Sequence, residues 1–371
     1  MADKSKYVSG SEAGPGKLPY CNDSSLSLTS WANFQIMLRK SVNGGSIFSG
    51  GIVSTYSLVY TNGSYAFEGG VLAPNGDIHF VPFNAPVGQK IDINGVVSTY
   101  DLVYTIGSAY AGGVLSSNGD IHFIPYYAEV GQKIDKNGVV STYSLIYTGS
   151  GLYYGGVLAP NGDIHMVPCN CDKGGQKISS SGVVSTYSLV YTGGGLYYGG
   201  VLAPNGDIHF VPQNAPVGQK IDINGVVSTY SLAHTQDEAY LGGVVSPNGD
   251  VHFIRHNAPV GQKISLSGVV STYSLVYSTD ISAFEGGVLA PNGDIHFIKY
   301  YGTMGQKIDK NGIVSTYSLV YNGNSYSGGV LAPNGDIHFI TSKAPVGQKI
   351  STLPMIPFSL SVCCSPFFNK L

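Results

Sequence analysis

The sequence predicts an all-β protein, a seven-bladed β-propeller of four-stranded antiparallel blades. The first observation is a Gly-Gly pair that recurs seven times at intervals of 42 to 44 residues. The second is the marker "GVVSTYSLVY", which also occurs seven times and stays in step with the Gly-Gly pairs. The third is that one copy of this marker stands alone near the N-terminus, while the last repeat lacks it. Together these observations predict a ring that its two ends close.

Each repeat divides into four short strands. "GGVLAP" is an apolar run that ends at "NG", the dipeptide typical of tight hairpins, and "DIHFVP" is the return strand. "GQKIDI" follows, then a second "NG" or "SG" turn, and then "VVSTYSLVY". Four strands in about 43 residues are the size of a propeller blade, whereas helical repeats need helix-forming segments that this unit lacks.

The ends of the array predict how the ring closes. The first copy of the second marker, residues 51–60, has no "GGVL" before it, and the last repeat, residues 328–350, has no "VVSTY" after it. Pairing the two removes the sheet edges that an open array would expose. The predicted blades span residues 69–104, 112–147, 155–191, 199–234, 242–277, 286–321, and 328–350 with 51–60.

Two segments lie outside the predicted propeller of residues 50–350. They are a non-repeat arm, residues 1–49, and an apolar tail, residues 351–371. The arm contains "TSWANFQIMLRK" at residues 29–40, which predicts a short helix capped by Ser30. We expect both segments either to pack on the propeller or to attach it to a partner.

Composition excludes several classes of protein. Only 11% of the 371 residues are charged and the net charge is −3, so no basic surface for nucleic acid or anionic lipid is expected. Five cysteines form no disulfide framework, and neither a signal-peptide core nor a run long enough to span a membrane is present. These features predict a protein of the reducing cytoplasm, or one packaged from it.

An Asp-x-His motif recurs once in each repeat. Because residues i and i+2 of a strand share a face, each pair can meet side by side. A metal site needs three or four converging ligands, and seven equal copies suggest seven equal structural tasks. We therefore expect a buried histidine that hydrogen-bonds to Asp or to Ser/Thr of the neighbouring "VSTYS" strand, with metal binding or catalysis as weaker alternatives. The pairs are Asp77/His79, Asp120/His122, Asp163/His165, Asp207/His209, Asp250/His252, Asp294/His296 and Asp336/His338.

The seven copies differ mainly in two connections, the one before each Gly-Gly pair and the one after "HFxP". Both lie on the same end of an antiparallel ring, so one face is expected to be constant and the other to bind a ligand. Aromatic residues in these connections suit stacking on sugars or anchoring a protein. The alternative is that the tyrosine before each Gly-Gly packs between blades. The candidates are Tyr65, Phe67, Phe83, Tyr110, Tyr126, Tyr127, Tyr153, Tyr154, Tyr197, Tyr198, Tyr240, Phe284, Tyr300, Tyr301 and Tyr326.

Other departures from the repeat carry weaker signals. Cys169 and Cys171 offer only two ligands in one loop, and the lysine of each "GQK" is expected to be solvated. The remaining loop substitutions, Asp237/Glu238 and Arg255/His256, form no known catalytic motif. The sequence thus predicts no catalytic residue, no metal and no cofactor, and a protein that is not an enzyme.

The repeat "GGVLAPNGDIHFVP…VGQKI…GVVSTYSLVYT" resembles the propeller repeats of tailed-phage and other viral structural proteins over residues 50–350. The resemblance implies a virion component, such as a tail, fibre or capsid-decorating protein, that residues 1–49 and 351–371 attach to other virion or scaffold proteins. Its location would then be the virion, assembled in the host cytoplasm, or otherwise the cytoplasm. The alternative is a soluble lectin-like propeller that binds surface glycans.

Overall fold

A computed structural model describes residues 46–48, 51–170, 173–278, 280–323 and 325–352. These residues form seven antiparallel sheets, six of four strands and one of five, arranged as the predicted propeller. In each blade the strand with the Gly-Gly pair is innermost and contacts the equivalent strands of both neighbouring blades. The predicted helix at residues 29–40, most of the arm and nearly all of the tail lie outside the described residues.

The strands follow the predicted order in every repeat. Blade 1 contains β3 (Phe67–Leu72), β4 (Ile78–Pro82), β5 (Val87–Ile91) and β6 (Val97–Asp101). Blade 2 contains β7 (Tyr110–Leu115), β8 (Ile121–Pro125), β9 (Val130–Ile134) and β10 (Val140–Ser144). Blade 3 contains β11 (Tyr153–Leu158), β12 (Ile164–Pro168), β13 (Gly175–Ile178) and β14 (Val184–Tyr187). Blade 4 contains β15 (Tyr197–Leu202), β16 (Ile208–Pro212), β17 (Val217–Ile221) and β18 (Val227–Ser231). Blade 5 contains β19 (Tyr240–Val245), β20 (Val251–Arg255), β21 (Val260–Ile264) and β22 (Val270–Ser274). Blade 6 contains β23 (Phe284–Leu289), β24 (Ile295–Lys299), β25 (Met304–Ile308) and β26 (Val314–Ser318). Blade 7 contains β27 (Tyr326–Leu331), β28 (Asp336–Thr341), β29 (Val346–Ser351) and β2 (Gly51–Ser57), and β1 (Ser46–Phe48) lies outside β2.

The two ends of the chain close blade 7, as predicted. β2 pairs antiparallel with β29, with Val53 opposite Ile350. The sequence did not predict β1, which pairs along the outer edge of β2. As part of this hairpin, Ile52 is only 9% exposed, whereas the equivalent Val96 of blade 1 is 59% exposed.

The two constant turns of each blade are held by their own side chains. In blade 1 the side-chain oxygen of Asn75 accepts the backbone N–H of Asp77 at 3.0 Å. In the second turn, Oδ1 of Asp92 accepts the N–H groups of Asn94 at 2.9 Å and Val96 at 2.7 Å. These are the local bonds for which Asn and Asp are favoured in turns, and they fix the hairpins independently of the rest of the blade.

The glycine of "GQK" is required by the tyrosine of "STYS". The two residues are paired across adjacent strands, and a Cβ on Gly131 would overlap the ring of Tyr143. The same overlap occurs in all seven blades. An aromatic ring therefore lies over a glycine at the same place in every sheet.

The Asp-x-His motif is structural, but its partners differ from those predicted. The Nδ1 atom of His122 lies 3.2 Å from the hydroxyl oxygen of Tyr143, and five other blades have the same contact at 3.2 to 3.4 Å. In blade 3 the rings of His165 and Tyr187 meet edge to face. The predicted hydrogen bond of the histidine to Asp, Ser or Thr is therefore wrong. The tyrosine ring packs over the glycine and places its hydroxyl group beside the imidazole. The correction applies to His79, His122, His165, His209, His252, His296 and His338.

Blade 7 makes this contact between the two ends of the chain. His338 was expected to bond to Asp336 or to a Ser or Thr hydroxyl, but its Nδ1 atom lies 3.3 Å from the hydroxyl oxygen of Tyr56 in the N-terminal strand β2. The two rings meet edge to face, with centroids 5.3 Å apart. The partner of His338 is thus 282 positions away in the sequence, and the contact forms only when the ring closes.

The aspartate of the motif instead binds the lysine of "GQK". Lys133 Nζ lies 2.7 Å from Asp120 Oδ2, and the seven equivalent distances range from 2.6 to 3.1 Å. Six of these lysines stay about one-third exposed, as expected, and only Lys307 is buried, but the ion pair with the aspartate was not predicted. A carboxylate in the blade interior is stabilised by pairing with the nearest cation, since an unpaired buried charge would destabilise the folded state. The aspartates with this partner are Asp77, Asp120, Asp163, Asp207, Asp250, Asp294 and Asp336.

The glutamine of "GQK" ties each blade to the preceding one, a role that the sequence analysis missed. Gln132 is fully buried, and its Oε1 atom accepts the backbone N–H groups of Val103 at 3.0 Å and Tyr104 at 2.8 Å. The equivalent glutamines of the other six blades accept one or both equivalent N–H groups. The segment that follows the last strand of one blade is thus hydrogen-bonded to the next blade.

Replacing this glutamine with an isosteric apolar residue is expected to destabilise the ring. Gln132→Leu removes the acceptor of two backbone N–H groups, which costs about 1 kcal/mol for each because both hydrogen bonds are only partly buried. Urea unfolding of the variant and of Gln236→Leu, the same change at an exposed glutamine, measures the effect. Equal free energies of unfolding for the two variants would show that the hydrogen bonds of Gln132 do not stabilise the contact between blades.

Candidate functional site

The inner strand of each blade carries a β-bulge next to the ring axis. In blade 1, Phe67 pairs with Pro82 and Gly70 with Phe80, so that Glu68 and Gly69 both oppose the single residue Val81. The positive φ of +79° at Gly69 permits this conformation. The register shifts at the same place in all seven inner strands.

The bulge turns one side chain per blade toward the axis. This is the residue just before the first glycine of each Gly-Gly pair, and six of the seven line a common axial cavity. The seven residues are Glu68, Ala111, Tyr154, Tyr198, Leu241, Glu285 and Ser327. A position that is equivalent in every blade is therefore occupied by acidic, aromatic, aliphatic and small residues.

The first glycines form the narrow part of the cavity, which has a volume of about 130 Å³ and is lined by all seven of them. A Cβ on Gly112 would lie 2.8 Å from the Cα of Gly155 in the next blade. Larger residues are excluded because the neighbouring backbones approach too closely. The constant glycines thus shape the base of the cavity, and the variable residues beside them determine its chemistry.

Two carboxyl groups meet on the axis. Glu68 and Glu285 are 6% and 8% exposed, and both hydrogen-bond to the hydroxyl of Tyr154, which lies 2.9 Å from Oε1 of Glu285. Burial, the charge of Glu285 and a hydrogen bond with it raise the pKa of the Glu68 carboxyl well above its usual range. Burial and the neighbouring carboxyl group therefore favour the protonated form of Glu68.

The tyrosine between them stays protonated. Burial, followed by the charges of Glu285 and Glu68, raises the pKa of Tyr154 well above its usual value. Its ring stacks on Tyr198 with a centroid distance of 3.8 Å. Tyr154 therefore orients the carboxyl pair rather than serving as a base.

Above this pair the cavity widens toward the variable face, to about 420 Å³. Rings form an arc along one side, with centroid distances of 5.7 Å between Phe83 and Tyr126 and 5.9 Å between Tyr126 and Tyr154. Tyr300 and His256 stand 5.7 Å apart. The volume is that of a site for a small molecule, and its wall combines aromatic faces with a few polar groups.

The structure divides the predicted aromatic candidates into three groups. Seven are at most 1% exposed and belong to the blade cores, as the packing alternative required; they are Phe67, Tyr110, Tyr153, Tyr197, Tyr240, Phe284 and Tyr326. Six line the wide part of the axial cavity, and these are Tyr65, Phe83, Tyr126, Tyr154, Tyr198 and Tyr300. Tyr127 and Tyr301 are 40% and 44% exposed and lie outside the cavity lining.

The other departures from the repeat have structural roles. Arg255 is buried and donates to the backbone oxygens of Ala258, Ser278 and Asp280, which ties two loops together. His256 lines the cavity, with Nδ1 placed 2.9 Å from the carbonyl oxygen of Phe284. Burial raises the pKa of Cys169 to about 12, which leaves its thiol unreactive, and Cys171 lies outside the described residues.

Metal ligands do not converge anywhere in the part of the chain that the structure describes, where no group of three His, Cys, Asp or Glu side chains could hold an ion. The same part contains no helix that is long and apolar enough to cross a membrane.

Glu68 and Glu285, the two residues that give the site its charge, are not among the residues predicted from the sequence. The sequence does distinguish their position, because the residue before Gly-Gly changes from repeat to repeat while the flanking residues hardly change. Only the bulge shows that this one position faces the axis.

No protein-family model and no curated protein matches the sequence. Among solved structures, the virginiamycin B lyase of Staphylococcus aureus, determined as a catalytically inactive variant with quinupristin, has a TM-score of 0.71 at 17% identity, over 81% of this chain and 98% of that one. The hydrazine synthase of Kuenenia stuttgartiensis has a TM-score of 0.63 at 11% identity, over 83% and 99% of the two chains. The WD40 propeller domain of Doa1 has a TM-score of 0.61 at 14% identity, over 81% and 97%.

These similarities show the fold, and they contradict one expectation. The prediction that the protein is not an enzyme is contradicted, because the lyase and the synthase are enzymes in the same propeller fold. The loop substitutions are not the only breaks in the sevenfold symmetry, because the residue that faces the axis also differs among blades. The resemblance to viral structural proteins finds no support in these three structures. The chain is a seven-bladed β-propeller that shares its fold with enzymes and with a WD40 domain.

Proposed function

We propose that the protein binds a small molecule in the axial cavity and that the Glu68–Glu285 pair exchanges a proton with it. The observation that carries this proposal is the loss of sevenfold symmetry on the axis. There, two of seven equivalent positions are glutamates that meet in a buried contact with Tyr154.

Such a pair is equipped for acid–base chemistry. The carboxyl group that holds the proton can act as a general acid, and its ionised partner can act as a general base. Elimination, the reaction class of a lyase, requires both functions, and a lyase with quinupristin has been determined in this fold. Seven-bladed scaffolds can thus present reacting groups on the axis, where all blades contribute to one site.

The direct test is a panel of compounds containing quinupristin and neutral oligosaccharides. We expect at least one compound to raise the melting temperature of the wild-type protein, and Glu68→Gln/Glu285→Gln to lose that shift because the wall no longer ionises. Mass spectrometry then identifies the reaction, since elimination leaves the summed mass of the products equal to that of the compound whereas hydrolysis adds one water.

Glu129→Gln is the matched control, because Glu129 is an exposed glutamate in a connection on the same variable face. It is expected to behave as wild type. Equal responses of the wild-type protein and the double variant to every compound would contradict the proposed site.

Carbohydrate binding without conversion is the second candidate function. It is favoured by the aromatic arc and by two amide side chains in the cavity wall, Asn84 and Gln213. An oligosaccharide that raises the melting temperature and is recovered unchanged would identify a lectin-like site.

Attachment to virion or scaffold proteins through residues 1–49 and 351–371 stays a prediction. Only residues 46–48, 351 and 352 of these segments are described. The location in a virion, or otherwise in the cytoplasm, likewise stays a prediction.

A further inference from the structure

The wall of the axial cavity contains acidic and aromatic groups but no strongly basic one. Its described lining includes Glu68, Glu285, six aromatic rings and His256, and neither lysine nor arginine. The imidazole of His256 is engaged through Nδ1 with the carbonyl of Phe284. The described lining thus offers negative charge and ring faces without a lysine or arginine of its own.

The carboxyl pair has no lysine or arginine beside it in the described lining. Burial and the neighbouring Glu285 carboxyl favour the protonated form of Glu68. A ligand that brings a positive charge would favour the ionised form and displace that proton. The pair is therefore better matched to a cation than to a neutral or anionic compound.

The aromatic faces suit the same kind of ligand. Ring faces carry partial negative charge and attract ammonium groups within about 6 Å of the ring centre. The protein already makes such a contact beside the cavity, where Lys343 Nζ lies 3.7 Å from the ring centre of Tyr65 and 2.9 Å from the hydroxyl of Tyr301. Tyr65 itself lines the cavity.

From these observations we infer that the axial cavity takes an organic ammonium compound, which the aromatic rings surround and the Glu68–Glu285 pair neutralises. This inference rests on the proposed function, because it names the ligand class of the same site. A bulky alkylammonium group fits a cavity of about 420 Å³ and needs no hydrogen-bond donor from the wall.

Isothermal titration calorimetry with choline and its neutral isostere 3,3-dimethyl-1-butanol tests the inference. We expect choline to bind at least about ten-fold more tightly than the isostere. Titrations at pH 7 in two buffers of different ionisation enthalpy are expected to show the release of up to one proton per choline bound. Equal affinity for choline and the isostere would overturn the inference.

Variants test the carboxyl pair and the aromatic wall of the site separately. Glu285→Gln is expected to weaken choline binding at least about ten-fold, and Glu68→Gln/Glu285→Gln to abolish proton release. Tyr126→Leu is expected to weaken binding, while Tyr126→Phe retains it. Glu129→Gln is the control that should bind as wild type. Circular dichroism confirms that each variant is folded, and unchanged binding by folded Glu285→Gln would refute the role of the pair.

The outcome also distinguishes this inference from the proposed function. If a neutral compound of the panel binds in a Glu68- and Glu285-dependent manner and choline does not, the site stands and the ligand class is wrong. If neither choline nor any compound of the panel responds to the glutamate variants, both are wrong.

Discussion

Lowering the pH from 7 to 5 is expected to destabilise the propeller steeply, because six buried histidines resist protonation in the folded state. Burial, aided by the neighbouring lysine and opposed by the aspartate, lowers their pKa values to about 4 in five cases and to about 3 in the sixth. The first five are His79, His122, His165, His209 and His252, and the sixth is His296.

The sign follows from proton counts. Between about pH 6.5 and 4 the unfolded chain binds a proton at each of these histidines and the folded chain does not. Stability is therefore fully present above pH 6.5 and is lost as the pH falls toward 4. The raised pKa of Glu68 acts in the opposite direction by at most one proton, since above about pH 4.5 the folded state binds that proton more tightly.

Urea unfolding at several pH values between 7.5 and 5 measures the slope. Six protons correspond to a slope of up to about 8 kcal/mol per pH unit, and His122→Gln is expected to reduce it by about 1.4 kcal/mol per pH unit. A slope equivalent to one proton or fewer would show that the histidines are not buried in the neutral form.

The second large effect is expected from Gly131→Ala, which places a methyl group where the ring of Tyr143 lies. The ring must leave its site, which disrupts its contact with His122 and its packing in the blade. Overpacking and the loss of an aromatic contact together cost roughly 3 kcal/mol. Urea unfolding at pH 7.5 measures the change in the free energy of unfolding.

Gly138→Ala is the matched control in the same blade. Its φ is +86° and nothing lies within 4 Å of the added Cβ, so only the left-handed backbone is strained, at about 1–2 kcal/mol. A double-mutant cycle supplies the decisive comparison, because Gly131→Ala should cost little once Tyr143→Ala has removed the ring. Additive effects would refute the pairing of glycine with tyrosine.

Much of the architecture could be predicted because the repeat encodes it locally. The spacing of Gly-Gly pairs, the "NG" turns and the isolated marker at residues 51–60 give the number of blades, the strand order and the closure. These features depend on short-range turn chemistry and on the alternation of side chains along strands, which are readable in one dimension.

Partners within the blade were harder to predict. Asp120, His122, Lys133 and Tyr143 are all conspicuous in the repeat, yet the sequence suggested Asp–His pairs and a solvated lysine. The pairing depends on which strands are neighbours and on the register between them. Tyr143 reaches His122 only because Gly131 leaves space for the ring between them.

The sequence by itself determined that this protein is a closed seven-bladed β-propeller with one constant and one variable face. Only the tertiary structure decided that Glu68 and Glu285, 217 positions apart in the printed sequence, form a single site. The physical reason is the bulge, which turns one residue of each inner strand toward an axis that all seven blades share. Convergence on a ring axis is a property of the closed assembly and leaves no spacing pattern within a single repeat.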